Sequence, residues 1–166
     1  MRLPLLAITL AGLGLVACGR GASEGKVVVG HFGSMSGAEA TFGQSTARGV
    51  RFAVAEVNVA GGIKGRLIEL KSYDDRGSSQ EAGTAVTRLI ANDKAVAILG
   101  HNTSSLSIAG GRVAQQYGVP MISPSSTNPA VTEIGDKIFR VCFLDPFQGW
   151  VQAKFAREHL KAGTAA

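Results

Sequence analysis

The chain reads as a doubly wound α/β domain built on a mostly parallel sheet. Three observations predict it. From Lys26 onward, β-branched or apolar runs alternate with segments of helical periodicity. The connections between them are short and rich in the chain's 22 glycines. A hydrophobic content of 45% suits a well-packed globular domain. Regular βα alternation implies parallel strands joined by right-handed crossovers.

The run "KVVVGHF" (26–32) predicts the first strand, leading into the loop "GSMSG". Ala47, Val50, Val54 and Val57 fall at helical spacing within a helix over 42–60, and Gly61-Gly62 stops it. "RLIELKSYDD" (66–75) alternates as a strand does, and the capping box Ser78–Glu81 opens a helix that packs Ala82, Val86, Leu89 and Ile90. "AVAIL" (95–99) is continuously apolar, as a strand covered on both faces would be. A helix over 104–117 ends at Gly118, "VPMIS" is the next strand, and "AVTEIG" is about one helical turn. "KIFRVCF" (137–143) predicts a last strand, with Cys142 a small buried strand residue, and Asp145-Pro146 opens a helix to 160.

The N-terminus belongs to no fold. Met1-Arg2, the short apolar run Leu3–Val16 and "LVAC" (15–18) read as a secretory signal with a lipobox over 1–17, in which Cys18 carries the lipid. The apolar run falls short of the ~20 residues of a membrane-spanning helix. Residues 18–25, small and polar, would tether lipid to domain. With Cys18 lipidated, Cys142 has no intramolecular partner, and two cysteines can build neither a zinc cluster nor a CxxC redox pair. The net charge of +5 is scattered without a basic run, which argues against nucleic acid as a partner. His31 and His159 stand too isolated for a metal site, and no cofactor motif occurs.

Ligands of open α/β sheets bind beyond the carboxyl ends of strands. Three such ends carry small polar loops here, "HFGSMSG", "GHNTSS" and "SPSST". The last two follow neighbouring strands, so Ser104 and Thr127 are expected to converge, with helix N-termini adding free N–H groups. The result would be an anion receptor without a cationic side chain, suited to one carboxylate. Neither GxGxxG nor GxxxxGK[ST] follows any strand, which excludes the common phosphate cradles. A nucleophilic Ser104 lacks the GxSxG elbow, and adjacent His101 is poorly placed to be its base. Ser104 could equally be a plain helix N-cap. Ser125 could offer backbone only, Asn102 could line the crevice or close a turn, and Phe42 could be core or could cover an apolar ligand. Asp74 and Asp75 are best read as turn and capping acceptors.

Taken in order, "GSMSG…FG", "AEVNVAGGIKGRLIEL", "YDD", "ILGHNTSS", "VPMISPSSTNP" and "IFRVCFLDPFQG" resemble the Leu/Ile/Val-binding type of ABC-transporter substrate-binding protein, with the type I periplasmic-binding fold. The resemblance implies two α/β lobes closing on an amino acid, without chemistry on the ligand. It puts a ligand carboxylate on Ser104 and Thr127, backbone contacts at Asn102 and Ser125, Thr103 beside them, and Phe42 where relatives often carry tyrosine. Some relatives have a disulfide where Gly77 and Thr103 stand here. The resemblance implies an N-terminal lobe over 26–142, a hinge crossing near Phe143–Pro146 and the first helix of a second lobe over 143–166. On this reading the chain is a fragment lacking most of that lobe. The expected role is a lipid-anchored, periplasmic or extracytoplasmic binding subunit that delivers a small amino acid or similar carboxylate to a membrane permease. A ligand sensor of the same fold signalling to a partner, and an exported serine hydrolase, are the alternatives.

Overall fold

A computed structural model describes residues 25–164. The elements run β1 (Val27–Gly33), α1 (Ala40–Val59), β2 (Ile68–Asp74), α2 (Ser79–Ala91), β3 (Ala97–Leu99), α3 (Ser104–Gln116), β4 (Met121–Ser123), a 3-10 turn (Pro129–Ile134), β5 (Ile138–Arg140) and α4 (Asp145–Glu158). All strand pairs are parallel and the order is β2-β1-β3-β4-β5. The sheet grows leftward after β1 and rightward from β3, so its switch point lies between those two strands, as in other doubly wound sheets of this order.

Two rows of residues across the sheet show where the core sits. Gly30, Ile98, Met121 and Ile138 stand in register and are all buried against α2 and α3, together with Phe32, Val86, Leu89 and Leu106. The next row points the other way and runs His31, Leu99, Ile122, Phe139. It passes from fully buried His31 to Phe139 at 48% exposure. The reason is that α1 packs mainly on β1 and β2. The expectation that "AVAIL" is covered on both faces therefore fails: Ile98 is buried, Leu99 is half-buried and Val96 is exposed.

Strands at the far side are shorter than the sequence suggests. β5 keeps three residues instead of seven, because beyond Arg140 no backbone partner follows on β4 except the Val141 N–H to Ser123 carbonyl bond. Cys142 is thus outside the strand and half-buried. Half of the expected capping box forms: Ser78 Oγ accepts the Glu81 N–H at 3.4 Å, while the Ser78 N–H donates to the Asp75 carbonyl at 2.9 Å and not to the Glu81 side chain. The first turn of α1 lies directly on the β1 loop: a Cβ at Gly43 would stand 1.9 Å from the Ser34 carbonyl oxygen, so only glycine allows that approach. α4 has no buried residue and exposes Phe147, Trp150, Val151 and Phe155 on one side. No described helix is long and apolar enough to cross a membrane. Cys18, the signal region and all of the tether except Gly25 lie outside the described residues.

Candidate functional site

The carboxyl ends of β1, β3 and β4 meet at an open cavity of about 330 Å³ lined by Glu39, Phe42, Asn102, Thr103 and Ser125. Glu39 and Phe42 come from the loop and first turn after β1, Asn102 and Thr103 from the loop after β3, and Ser125 from the loop after β4. The cavity therefore sits at the switch point of the sheet. Larger depressions occur along α4 and α2; the one on α2 is polar, but each draws its lining from a single helix and its end and does not gather loops from several strand ends.

The loops after β3 and β4 are tied together. The Ser125 hydroxyl donates to the Asn102 carbonyl at 3.1 Å, and the Asn128 N–H donates to Ser104 Oγ at 3.3 Å. Ser104 and Thr127 are thus brought together, although neither lines the cavity wall itself. Ser104 is not the N-cap of α3. That position belongs to Thr103, whose hydroxyl makes no capping bond and turns instead to His101 Nδ1 at 3.0 Å. Ser104 opens the helix one residue later, so its Oγ is free to face the neighbouring loop. Phe42 is 65% exposed, so it is no core aromatic.

Arg140 holds the loop after β4 from below. Its guanidinium donates to the carbonyls of Ser126, Asn128 and Pro129 at 2.8, 2.7 and 2.9 Å, and to the Thr132 hydroxyl at 2.6 Å. The cation is consumed by the scaffold, and no cationic side chain lines the cavity. The donors available to a ligand are hydroxyls and backbone N–H groups at the start of α3.

Sequence reasoning missed Glu39, which lies three residues before Phe42 and so one helical turn away. It also missed what the histidines do. His101 is buried and meets Asp75 Oδ2 at 3.0 Å and Ser34 Oγ at 3.1 Å, both through Nε2. This Ser–His–Asp grouping is no nucleophile relay, since in such a relay serine and carboxylate sit on opposite ring nitrogens. Nor does the imidazole touch Ser104. Asp74 and Asp75 act as turn acceptors: Asp74 takes the N–H groups of Met35 and Arg76 at 2.9 and 3.0 Å, and Asp75 takes that of Gly77 at 3.0 Å. Burial raises the Asp75 carboxyl, but the bonds from His101, Ser34 and Gly77 outweigh it and hold it below the usual carboxylate range. His31 lies beside this group. Burial first, then the nearby His101 and Arg51, lower its pKa to about 4.

Residues 26–166 match the family model described as periplasmic binding protein. An amino acid binding protein of Pseudomonas aeruginosa is 40% identical over 141 residues, which cover 84% of this chain and 38% of that protein. Among solved structures, the branched-chain amino acid transporter substrate binding protein LivJ of Streptococcus pneumoniae, in complex with isoleucine, aligns with a TM-score of 0.79 and 35% identity over 82% of this chain and 39% of its own. A solute binding protein of an ABC transporter from R. palustris, in complex with 4-hydroxybenzoate, aligns with a TM-score of 0.70 and 27% identity over 80% and 36% of the two chains. The chain spans about two-fifths of the length of these relatives. All three are described as binding proteins, none as an enzyme. Sheet order, strand-end cavity and these matches agree: the chain belongs to the periplasmic binding protein family, with the type I fold.

Proposed function

We propose that this chain forms the carboxylate-holding lobe of an extracytoplasmic solute-binding subunit, which captures a small amino acid for the permease of an ABC importer. The observation that carries this is the meeting of two neutral, hydroxyl-bearing loops at the switch point, joined by the Asn102–Ser125 and Ser104–Asn128 bonds. Ser104 and Thr127 supply hydroxyls to the ligand carboxylate, the start of α3 supplies N–H groups, and Asn102, Thr103 and Ser125 shape the floor. Phe42 offers an exposed aromatic face to an apolar ligand side chain. Neutral donors hold a carboxylate without a counter-charge, so binding is reversible over a transport cycle. The hinge near Phe143–Pro146 leads into α4, whose exposed apolar side belongs against a second lobe. Lipid on Cys18, after a signal over 1–17 and a tether over 18–25, keeps the protein at the membrane.

A second reading makes the ligand an arylcarboxylate, because the neighbour from R. palustris carries 4-hydroxybenzoate on the same fold. Titration calorimetry on the protein expressed from its complete reading frame separates the two. Amino acids are expected to bind and simple benzoates not. Ser104→Ala is expected to weaken the amino acid by about 1–3 kcal/mol, the worth of a hydrogen bond to a charged group. Unchanged affinity removes Ser104 from the site; benzoate binding alone replaces the amino acid with the aromatic acid.

A further inference from the structure

Beneath the two loops lies a cluster that no ligand reaches: Ser34, Asp75, His101, Ser107, Ser123 and Ser126 are all fully buried. We propose that His101 is the positioning residue of the clamp, its ring tying the Thr103–Ser104 loop to the ends of β1 and β2 and its carbonyl tying in the loop of Ser123 to Thr127. The inference rests on reading those loops as the carboxylate clamp.

The ring has two arms. Nδ1 faces the Thr103 N–H at 2.9 Å, and Nε2 faces both Asp75 Oδ2 and the Ser34 N–H at 3.0 Å. A neutral imidazole carries one proton, so the two nitrogens cannot both accept. With the proton on Nδ1, the Ser34 N–H is served, but the Thr103 N–H and the buried Asp75 Oδ2, which has no other partner among the described residues, are both stranded. With the proton on Nε2, Asp75 and Thr103 are served and only the Ser34 N–H loses its partner. An unpaired buried carboxylate oxygen costs more than an unpaired amide, so the Nε2–H form prevails. Asp75 is fixed in turn by the Ser34 hydroxyl at 2.7 Å and the Gly77 N–H at 3.0 Å. The chain of contacts thus runs from the β2 end through the ring to Thr103, at the N-cap position of α3.

The backbone of His101 has its own arm. Its carbonyl receives the hydroxyls of Ser107, Ser123 and Ser126 at 2.9, 2.7 and 2.9 Å. Two lone pairs cannot serve three donors, and the 2.7 Å contact between Ser107 and Ser126 takes the surplus. The Ser126 N–H donates to Ser123 Oγ at 3.0 Å, which closes the loop carrying Ser125 and Thr127. Gly100 lets the residue sit there: its φ is +134°, and a Cβ would stand 2.4 Å from the Phe32 carbonyl oxygen. One residue therefore sets the spacing of both halves of the clamp.

Two substitutions separate the ring arms. His101→Asn places an amide oxygen near Nδ1 and keeps an acceptor for Thr103, while losing Asp75. His101→Gln reaches toward Nε2 and keeps a donor for Asp75, while losing Thr103. In protein from the complete reading frame, leucine affinity is expected to fall about tenfold in His101→Gln, equivalent to one hydrogen bond, and less than about threefold in His101→Asn. That order should hold whichever variant is less stable to urea. Nitrogen-15 spectra of the wild-type imidazole should show the Nε2–H tautomer, and Thr103 amide exchange should stay slow in the Asn variant only. An Nδ1–H tautomer, or affinity losses that track stability instead of the arm removed, would overturn the proposal. If the wild type binds no amino acid, the clamp reading falls; Thr103 protection equal in the two variants would then sink the positioning role separately. Should a variant fail to fold, the wild-type tautomer decides alone.

Discussion

Acid should destabilise this domain through His31 before it reaches the carboxylates. His31 is fully buried under α1, its Nδ1 bonded to Ser72 Oγ at 2.6 Å and its Nε2 without a partner among the described residues. Burial, then His101 and Arg51, hold its pKa near 4, against an ordinary value of 6.5. Between those values the unfolded chain takes up a proton that the folded one refuses. Stability from His31 is therefore complete above pH 6.5 and declines as the pH falls towards 4. The slope is about 1.4 kcal/mol per pH unit, so the loss across the window amounts to about 3 kcal/mol, a large share of a small domain's stability. Urea unfolding of the wild type and of His31→Asn, at steps from pH 7 to pH 4, isolates the group, since every other titration cancels in the difference. The wild type should lose about 3 kcal/mol more than the variant over this range. Parallel pH profiles would show that the ring charges as readily folded as unfolded, and would refute the reasoning.

Two further outcomes follow from single side chains. Arg140→Gln removes a fork that serves three carbonyls and a hydroxyl; it should cost about 2–3 kcal/mol in urea unfolding, and Arg140→Lys should recover less than half because an ammonium cannot span the fork. Glu39 is the one carboxylate lining the cavity, with no described salt-bridge partner. Glu39→Gln should therefore weaken an ammonium-bearing amino acid about threefold to tenfold while leaving or improving a benzoate, as calorimetry would show; equal shifts for both would deny it any electrostatic part.

Much of the architecture was legible because it is local. Periodicity marks β1, α2 and α3, and the Ser78 cap lies within four residues of its acceptor's donor, so spacing alone reveals it. The meeting of Asn102 with Ser125 and Ser104 with Asn128 follows once β3 and β4 are neighbours, which the βα order predicts. What was illegible is non-local or depends on one residue of phase. Whether Thr103 or Ser104 occupies the cap position cannot be seen in a run of hydroxyls, yet it decides which Oγ is free. The partners of His101 stand at 34, 75, 103, 107, 123 and 126, and no spacing rule links them. The shortness of β5 reflects partner geometry at a sheet edge, and "KIFRVCF" carries no residue that would stop it earlier.

A buried aspartate and histidine are an expensive way to fill a strand-end layer. Apolar side chains of the same volume would escape the desolvation of Asp75 and give at least equal stability. Apolar contacts, however, are non-directional, and a loop resting on them slides until packing is best. The clamp loops cannot be left to slide. Neutral hydroxyls and N–H groups bind a carboxylate in competition with water, and they gain only when their spacing is fixed before the ligand arrives. Hydrogen bonds fix distance and angle together, which is what the ring arm at Thr103 and the hydroxyl cluster around the His101 carbonyl supply. The absence of a cation from the cavity wall and the presence of a buried carboxylate–imidazole hydrogen bond beneath it are thus two halves of one arrangement. Charge is spent below the site, on geometry, so that the surface above can hold an anion with dipoles alone.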